Sequence, residues 1–339
     1  MNSFVHDYFF NCPITPELLK TVRLLGEYKG HETFFKQQSS PILNVLKKTA
    51  FLDSMEADRR LAGTTISAAR LKGVMSANIT PLSPYEQELA GYRSALDNIH
   101  NYWEVIPFTP STLQQLHQEL YQYCSEPGGY WKTTNPNISL NKNSCVSADE
   151  TPDSIHQLHE LFTEAWNKSL HDPLILISTY ILDFLCIQPF PTGNARMARL
   201  LTILLLHKAG YHIASYISLD KITENTIHHY YNAFTESSHG WKERQHLLLP
   251  WWNYFLQIVL TSAYCEFEQK VTSLRKSGAK KEMLENIIRD LPKVFSIADL
   301  ERHAIGISRP TMNRTLAKLK QDGTIKKVCV GRDALWEKI

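Results

Sequence analysis

The sequence lacks the features that would place it at once in a familiar class. Its six cysteines are scattered over 339 residues without a C-x-x-C spacing, which predicts neither a zinc site nor a disulfide framework. Basic and acidic residues nearly cancel, and a net charge of +2 by itself indicates no class of partner. The amino terminus has no basic stretch followed by an apolar one, so the sequence predicts no secretory signal.

Long apolar runs are also scarce. The longest, residues 174–187, is interrupted by Asp183 and is shorter than the roughly 20 residues that a membrane helix needs. We therefore expect a buried helix there, no membrane segment, and a cytoplasmic protein whose thiols are reduced. A hydrophobic content of 43% is typical of a globular protein, and the length allows two domains.

The sequence does contain a joint between two apolar helices, at residues 172–209. Asp172 followed by Pro173 predicts a helix start, because the carboxylate caps the first turn and the ring occupies the first helical position. Prolines at 189 and 191 end this helix, and Gly193 allows the backbone to turn into the second one. The second helix is expected to stop at Gly210.

The start of the second helix is a candidate anion site. Its free N–H groups point outward at the positive end of the helix dipole, an arrangement that binds phosphate. Arg196 and Arg199 are three residues apart, so they share a face and can reach the same anion with forked donors. A solvated helix end with two surface arginines is the alternative interpretation of the same residues.

This segment resembles the signature of the Fic family, H-P-F-x-[D/E]-G-N-G-R-x-x-R, whose members transfer AMP to protein hydroxyl groups. Three positions depart from the signature. Gln188 replaces the histidine, Thr192 replaces the acidic residue and Ala195 replaces the second glycine. The positions that match are Pro189, Phe190, Gly193, Asn194, Arg196 and Arg199.

The departures fall on the residues that carry the family's chemistry. In the family the histidine is the general base, and the acidic residue holds magnesium on the nucleotide phosphates. The carboxamide of Gln188 has no nitrogen that titrates near neutral pH, so it cannot take the proton of a target hydroxyl. Thr192 is a weaker ligand for a hard cation than a carboxylate, so we expect magnesium binding to be impaired. The resemblance implies that a pocket for phosphate or a nucleotide such as ATP is retained, and the residues expected to form its phosphate-binding part are Gly193, Asn194, Ala195, Arg196 and Arg199.

The resemblance extends to the family's inhibitory helix and its adenine pocket. Residues 58–63 stand where many members have an inhibitory glutamate that pairs with the last arginine of the signature. Here Ala62 occupies that place, which implies that Arg199 has no internal partner. Tyr230 and Tyr231 correspond to the place whose tyrosine lines the adenine pocket; two aromatic residues of the core are the alternative interpretation.

The segment that follows Pro127 is similar to the family's flap, a β-hairpin that pairs with the backbone of a target protein. Lys132 stands in the place of the flap's arginine, and residues 133–148 are rich in Asn and Ser. An exposed loop without a partner is the alternative interpretation.

The C-terminal part changes character after a basic, glycine-containing linker. Three predicted helices and two short strands are typical of a winged helix-turn-helix domain. Ser296 is the expected cap of the second helix. The third, residues 308–321, is the predicted recognition helix, with Met312, Leu316 and Leu319 on its buried face. Between residues 306 and 332 there are seven basic residues and one acidic residue, which favours contact with DNA over use in dimerisation or peptide binding. The residues predicted to contact DNA are Arg309, Thr311, Asn313, Arg314, Lys318, Lys326, Lys327 and Arg332.

The sequence thus predicts a mainly α fold, in which a Fic-like helical domain with a small β-hairpin flap is joined to a C-terminal winged helix-turn-helix domain. We divide the chain into an N-terminal helical region (1–80), a Fic-like core (81–272), a linker (273–281) and the winged helix (282–339).

The function expected from these parts is that of a catalytically impaired AMP-transferase homologue, a pseudoenzyme, acting as a DNA-binding transcriptional regulator. Two alternatives remain open: an active adenylyltransferase that uses a non-standard base, and a dimerisation or peptide-docking module that binds no nucleotide. The expected partners are DNA, a nucleotide or phosphate ligand, a target protein at the flap, and a second copy of the chain in a homodimer. No set of metal ligands is predicted.

Overall fold

A computed structural model gives the fold, and it describes residues 3–5, 8, 12–38, 40–134, 146–169, 171–275, 279–304, 307–328 and 335–339. The chain divides into two compact units. The first comprises Met1–Gly30 and Ala50–Tyr264, and the second comprises His31–Thr49 and Cys265–Ile339. None of the described helices is both long enough and apolar enough to cross a membrane.

Helices make up most of the described structure, and only the second unit contains strands among its described residues. In chain order the helices are α1 (Pro16–Gln38), α2 (Ser40–Leu61), α3 (Ala68–Met75), α4 (Pro84–Tyr102), α5 (Pro110–Leu120), α6 (Thr151–Lys168), α7 (Pro173–Ile187), α8 (Asn194–Lys208), α9 (Leu219–Asn225), α10 (Ile227–Ser238), α11 (Leu249–Asn253), α12 (Ser262–Arg275), α13 (Ala279–Asp290), α14 (Ile297–His303) and α15 (Arg309–Gln321). The strands are β1 (Val294–Ser296), β2 (Ile325–Lys327) and β3 (Leu335–Lys338).

Helix α7 is the buried centre of the first unit. The Asp172 side chain accepts a hydrogen bond from the Leu174 N–H at 2.8 Å, and Pro173 is the first helical residue, as the sequence predicted. Every residue from Leu174 to Ile187 is buried. Two indoles from α11 fix the helix: Trp251 Nε1 donates to the Ser178 carbonyl at 2.8 Å, and Trp252 Nε1 donates to Thr179 Oγ1 at 2.9 Å.

The segment between α8 and α12 has two notable features. Helix α9 begins at Leu219, where Ser218 caps it by accepting from the Lys221 N–H. A π-helical stretch, Tyr254–Thr261, lies between α11 and α12. A π-helical stretch inserts residues without breaking the apolar pattern, so periodicity does not reveal it, and such stretches often occur at functional sites.

The second unit has its own small core around a three-stranded antiparallel sheet. The strand order is β1-β3-β2, with Phe295 of β1 opposite Trp336 of β3. The expected helices and the two expected strands are present as α13, α14, α15, β2 and β3, and β1 is an additional strand. The buried core residues are Leu284, Ile288, Leu291, Phe295, Leu300, Ala304, Ile307, Met312, Leu316, Leu319, Ile325 and Trp336.

The described part of the predicted recognition helix has the expected amphipathic pattern. Met312, Leu316 and Leu319 are buried, so the opposite face of α15 is turned to solvent. The predicted linker residues 276–278 and the predicted wing residues 329–334, which include Arg332, lie outside the described residues.

The close approach of α4 and α5 depends on Gly91, which gives a stability prediction. A Cβ atom at this position would lie 1.9 Å from the carbonyl oxygen of Leu120, which is backbone and cannot swing aside. We expect Gly91→Ala to lower the free energy of unfolding by about 3 kcal/mol, because the two helices must separate. Urea denaturation of both proteins measures this difference.

The matched control is Gly26→Ala in α1, where an added Cβ atom would meet nothing within 4 Å. Here the variant should gain about 0.5–1 kcal/mol, because alanine restricts the unfolded chain and favours the helix. Equal effects at the two glycines would contradict the close packing of α4 on α5.

Candidate functional site

A buried lysine forms hydrogen bonds at the start of the loop between α7 and α8, residues 188–193. Lys132 is 3% exposed; its Nζ donates to the Ile187 carbonyl at 2.8 Å, and its backbone N–H donates to the Pro189 carbonyl at 2.8 Å. The Lys132 ammonium therefore binds a carbonyl at the end of α7, where the helix dipole is negative. Gln188 ends the helix in the left-handed region at φ +47°.

Asn194, predicted to contribute to the anion site, closes this loop instead. Its Oδ1 accepts from the Phe190 N–H at 3.0 Å, and its Nδ2 donates to the Phe190 carbonyl at 2.8 Å. The side-chain amide thus pairs with both backbone groups of one residue and fixes the turn. In this conformation its donors point to the loop rather than to an anion.

Tyr121 lies against the turn at the start of α8. The Thr192 hydroxyl donates to the Tyr121 hydroxyl at 2.9 Å, and burial raises the pKa of Tyr121. Gly193 has φ +74°, and a Cβ atom there would lie 2.8 Å from the Tyr121 hydroxyl oxygen. Glycine is therefore required at this position both by its backbone conformation and by the approach of the tyrosine.

His117 contacts the loop, and both of its ring nitrogens form hydrogen bonds. Its ring stacks on Phe190 with centroids 3.9 Å apart. Nδ1 accepts from the Gly129 N–H at 2.9 Å, so Nε2 carries the proton and donates to the Thr192 carbonyl at 3.2 Å. Burial lowers the pKa of His117 to about 4, and the ring is neutral at pH 7. His117 therefore supports the loop, with both ring nitrogens hydrogen-bonded.

The two arginines of the predicted anion site are paired with buried carboxylates. Asp58, from α2, is 1% exposed and accepts from Arg196 Nε at 2.9 Å, from Arg196 Nη2 at 3.1 Å and from Arg199 Nη2 at 2.6 Å. Arg196 also donates to Glu88 of α4. One carboxylate therefore bridges both guanidinium groups, at the place where the sequence predicted a bound phosphate.

A second buried carboxylate completes this arrangement. Asp220, from α9, lies 2.7 Å from Arg199 Nε, although the two atoms are not aligned as a hydrogen bond, and it accepts from the Tyr92 hydroxyl at 2.8 Å. Burial alone would lower the pKa of both arginines, but the surrounding carboxylates hold both above the ordinary value. We call Asp58, Glu88, Arg196, Arg199 and Asp220 the ion cluster; its formal charge is −1, from two arginines and three carboxylates.

The expectation that Arg199 has no internal partner is therefore wrong. Ala62 is indeed exposed and contributes no charge, but Asp58, one helical turn earlier, reaches both arginines. No local sequence pattern reveals this contact, because Asp58 and Arg196 are 138 positions apart. A carboxylate on an otherwise buried helical face is the only signal that the sequence offers.

Four predicted nucleotide-binding residues line one cavity of about 140 Å³ beside the ion cluster: Ala195, Arg199, Tyr230 and Tyr231. Its remaining walls are mostly apolar and include the π-helical residues Tyr254, Phe255 and Val259. The cavity is close in size to the roughly 150 Å³ cavity that accommodates benzene, so it has room for a single aromatic ring. Gly193, Asn194 and Arg196 do not line it.

The predicted DNA contacts that the structure describes lie largely on one exposed surface. Arg309, Asn313, Arg314 and Lys318 are exposed on α15, whereas Thr311 is half-buried. Lys326 and Lys327 are exposed on β2. Two acids that sequence reasoning did not consider lie beside them: Glu301 is 3.3 Å from Arg309, and Glu337 is 2.9 Å from Lys326.

Two further points concern the flap and metal ions. Flap residues 135–145 lie outside the described residues, so the predicted β-hairpin stays a prediction. Within the part of the chain that the structure describes, no three His, Cys, Asp or Glu side chains are grouped so that they could hold a metal ion.

Comparisons with known proteins agree on the fold. The model of the Fic/DOC family matches residues 107–206. A Fic family protein from Desulfovibrio desulfuricans superposes with a TM-score of 0.64 at 19% identity, covering 96% of this chain and 97% of that chain. A Fic-domain signalling protein from Bacteroides thetaiotaomicron gives 0.60 at 20% identity, with coverages of 74% and 98%.

Fic-1 from C. elegans, residues 134–508, is more distant, with a TM-score of 0.57 at 18% identity and coverages of 76% and 73%. No curated protein matches the sequence significantly. The chain therefore contains a Fic/DOC family domain, matched over residues 107–206, on a helical fold that it shares with solved Fic proteins.

Proposed function

We propose that this protein is a DNA-binding transcriptional regulator whose Fic domain has lost most of the AMP-transferase activity of its family. The observation that carries the proposal is the absence of a general base at the loop, within the described residues. Gln188 cannot take a proton, and both nitrogens of His117 are already hydrogen-bonded. The loss of a well-placed base costs roughly 10²–10⁴-fold in rate.

The residues at the family's magnesium position do not fit the ion. The Thr192 hydroxyl is a neutral ligand and donates to Tyr121. The buried carboxylates of the ion cluster, Asp58 and Asp220, are paired with arginines.

The cavity beside the ion cluster favours binding of a nucleotide's base, whereas the ion cluster disfavours binding of its phosphates. Tyr230 and Tyr231 line a mostly apolar cavity that has room for one ring. Asp58, however, is hydrogen-bonded to both Arg196 and Arg199, so a phosphate that binds these two arginines must displace it. The net charge of −1 on the ion cluster opposes a polyphosphate, because like charges repel strongly where water is excluded.

This arrangement favours a second candidate function, a docking module that binds no nucleotide. In that case the arginines have a structural role, joining α8 to α2 and α9 through the ion cluster. Titration of wild-type protein with ATP and with AMP separates the two candidates, since the docking module predicts no heat of binding for either.

DNA binding is supported by the topology and charge of the second unit. The order of helices and strands from α13 to β3 is that of a winged helix, and the solvent face of α15 carries Arg309, Arg314 and Lys318. Basic side chains on such a face neutralise backbone phosphates, and Asn313 near the helix start is placed to read a base edge.

The catalytic part is tested by restoring the chemistry. We expect purified wild-type protein to transfer no label from ATP to itself, whereas Gln188→His together with Thr192→Asp should produce self-labelling, because a base and a carboxylate return to the loop. Adding Asp58→Asn should raise the labelling further by freeing the arginines. Mass spectrometry of serine, threonine and tyrosine residues locates the modification.

Arg199→Ala in the restored variant is the control and should abolish labelling. Label transfer by the wild-type protein at ordinary enzymatic rates, lost on Arg199→Ala, would refute the impaired-enzyme proposal and establish the active adenylyltransferase.

DNA binding is tested by its dependence on salt. Binding of a mixed-sequence duplex, followed by fluorescence anisotropy, should weaken linearly in log–log form as salt rises. Arg314→Ala and Lys318→Ala should each reduce that slope by about 1, because each removes one phosphate contact. Lys320→Ala is the matched control, since Lys320 is exposed on α15 outside the predicted contact set and should leave the slope unchanged. Equal slopes in all the variants would contradict the assigned face.

A further inference from the structure

An aromatic cavity of about 380 Å³ lies in the first unit, away from the loop and the ion cluster. We call it the aromatic cavity. Leu205 forms part of its wall. The rest of its apolar lining consists of four rings, those of Trp103, Phe108, Phe162 and Trp166.

The aromatic cavity is distinct from the cavity of about 140 Å³ beside the ion cluster. On helix α8, Leu205 and Lys208 line the aromatic cavity, whereas the residues that line the other cavity are Ala195, Ala198, Arg199, Thr202 and Ile203. The aromatic cavity therefore lies at the C-terminal end of that helix. The two cavities share no lining residue.

The rings are held in place by packing, which makes the aromatic cavity preformed. Phe162 contacts Phe108 and Trp166 with ring centroids 5.5 Å and 5.4 Å apart. Trp103 packs against His212, with centroids 5.1 Å apart. Phe162 is buried, whereas Phe108, Trp103 and Trp166 are half-buried, so their remaining surface is available to a ligand. A flat apolar molecule would bury that surface without reorganisation of the rings.

Two polar side chains, those of Lys208 and Thr163, line the aromatic cavity among the residues that the structure describes. Lys208 is the charged one, and its Nζ donates to the Trp103 carbonyl at 3.2 Å. This bond uses one of the three N–H groups and fixes the position of the ammonium. Burial lowers the pKa of Lys208, as expected for an ammonium that has lost part of its water. The Thr163 hydroxyl adds a second donor.

We propose that the aromatic cavity binds a small aromatic carboxylate, with its ring among the four aromatic side chains and its carboxylate on Lys208 and Thr163. A volume of about 380 Å³ lies in the range of roughly 300–1,000 Å³ that is typical of small-molecule sites. Aromatic walls alone would also attract cations, but the Lys208 ammonium repels them. This site does not depend on the proposed function, and its test involves neither DNA nor nucleotide.

Three ligands that share one skeleton test the charge requirement on the wild-type full chain. Phenylacetate, phenylacetamide and 2-phenylethylammonium carry charges of −1, 0 and +1 on nearly the same shape. Binding is measured by calorimetry and by the indole N–H signals of Trp103 and Trp166 in NMR spectra. We expect phenylacetate to bind at least tenfold more tightly than the amide, and the ammonium compound to bind most weakly.

Lys208→Met keeps the length of the side chain and removes its charge, so it should erase the preference for phenylacetate. Lys168→Met is the matched control, because Lys168 is exposed on α6, is paired with Glu164 and does not line the aromatic cavity. This variant should bind as the wild type does.

The wild-type series decides the proposal even if Lys208→Met fails to fold. Absence of phenylacetate binding at concentrations up to about 10 mM would overturn it. Equal binding of the three ligands, or tighter binding of the ammonium compound, would overturn the assignment of an anion. Shifts in the spectrum that leave the Trp103 and Trp166 signals unmoved would place the ligand elsewhere and overturn it as well.

Discussion

The first unit depends on the pairing of two buried guanidinium groups with carboxylates from other helices. Asp58 is 1% exposed and bridges Arg196 and Arg199, so α2 and α8 are joined by charge-assisted hydrogen bonds. Asp220 and Glu88 add α9 and α4 to the same ion cluster. Buried charges are costly when one partner is missing, so each member of the cluster needs the others in place.

The ion cluster and the loop at residues 188–193 support the same proposal, that the Fic domain has lost most of its AMP-transferase activity. Arg196 and Arg199, the arginines proposed to hold phosphate, are paired with carboxylates. Asn194 closes its own turn, Thr192 donates to Tyr121, and the Gln188 carboxamide cannot accept a proton near neutral pH. These polar groups stabilise the Fic-like fold, which supports the proposed loss of activity.

The sequence predicted those parts of the structure whose causes are local. The capping of α7 by Asp172 and of α14 by Ser296, the glycine turn at 193, and the buried face of α15 all depend on residues within a few positions of one another. The ion cluster and the pairing of β1 with β3 join distant parts of the chain, and the support of the loop by His117 does so as well. In a single sequence, no periodicity or motif reports such contacts.

The central claim is that Asp58 pairs with the two arginines proposed to bind phosphate. It is tested most directly by calorimetric titration of ATP into wild-type protein and Asp58→Asn. The matched control is Asp53→Asn, because Asp53 lies on the same helix as Asp58, α2, and forms an ion pair with Lys221 of α9. The account predicts that Asp58→Asn binds ATP at least tenfold more tightly than the wild type and the control, because the arginines become free and the local charge becomes less negative. Equal ATP affinity in the three proteins would contradict it.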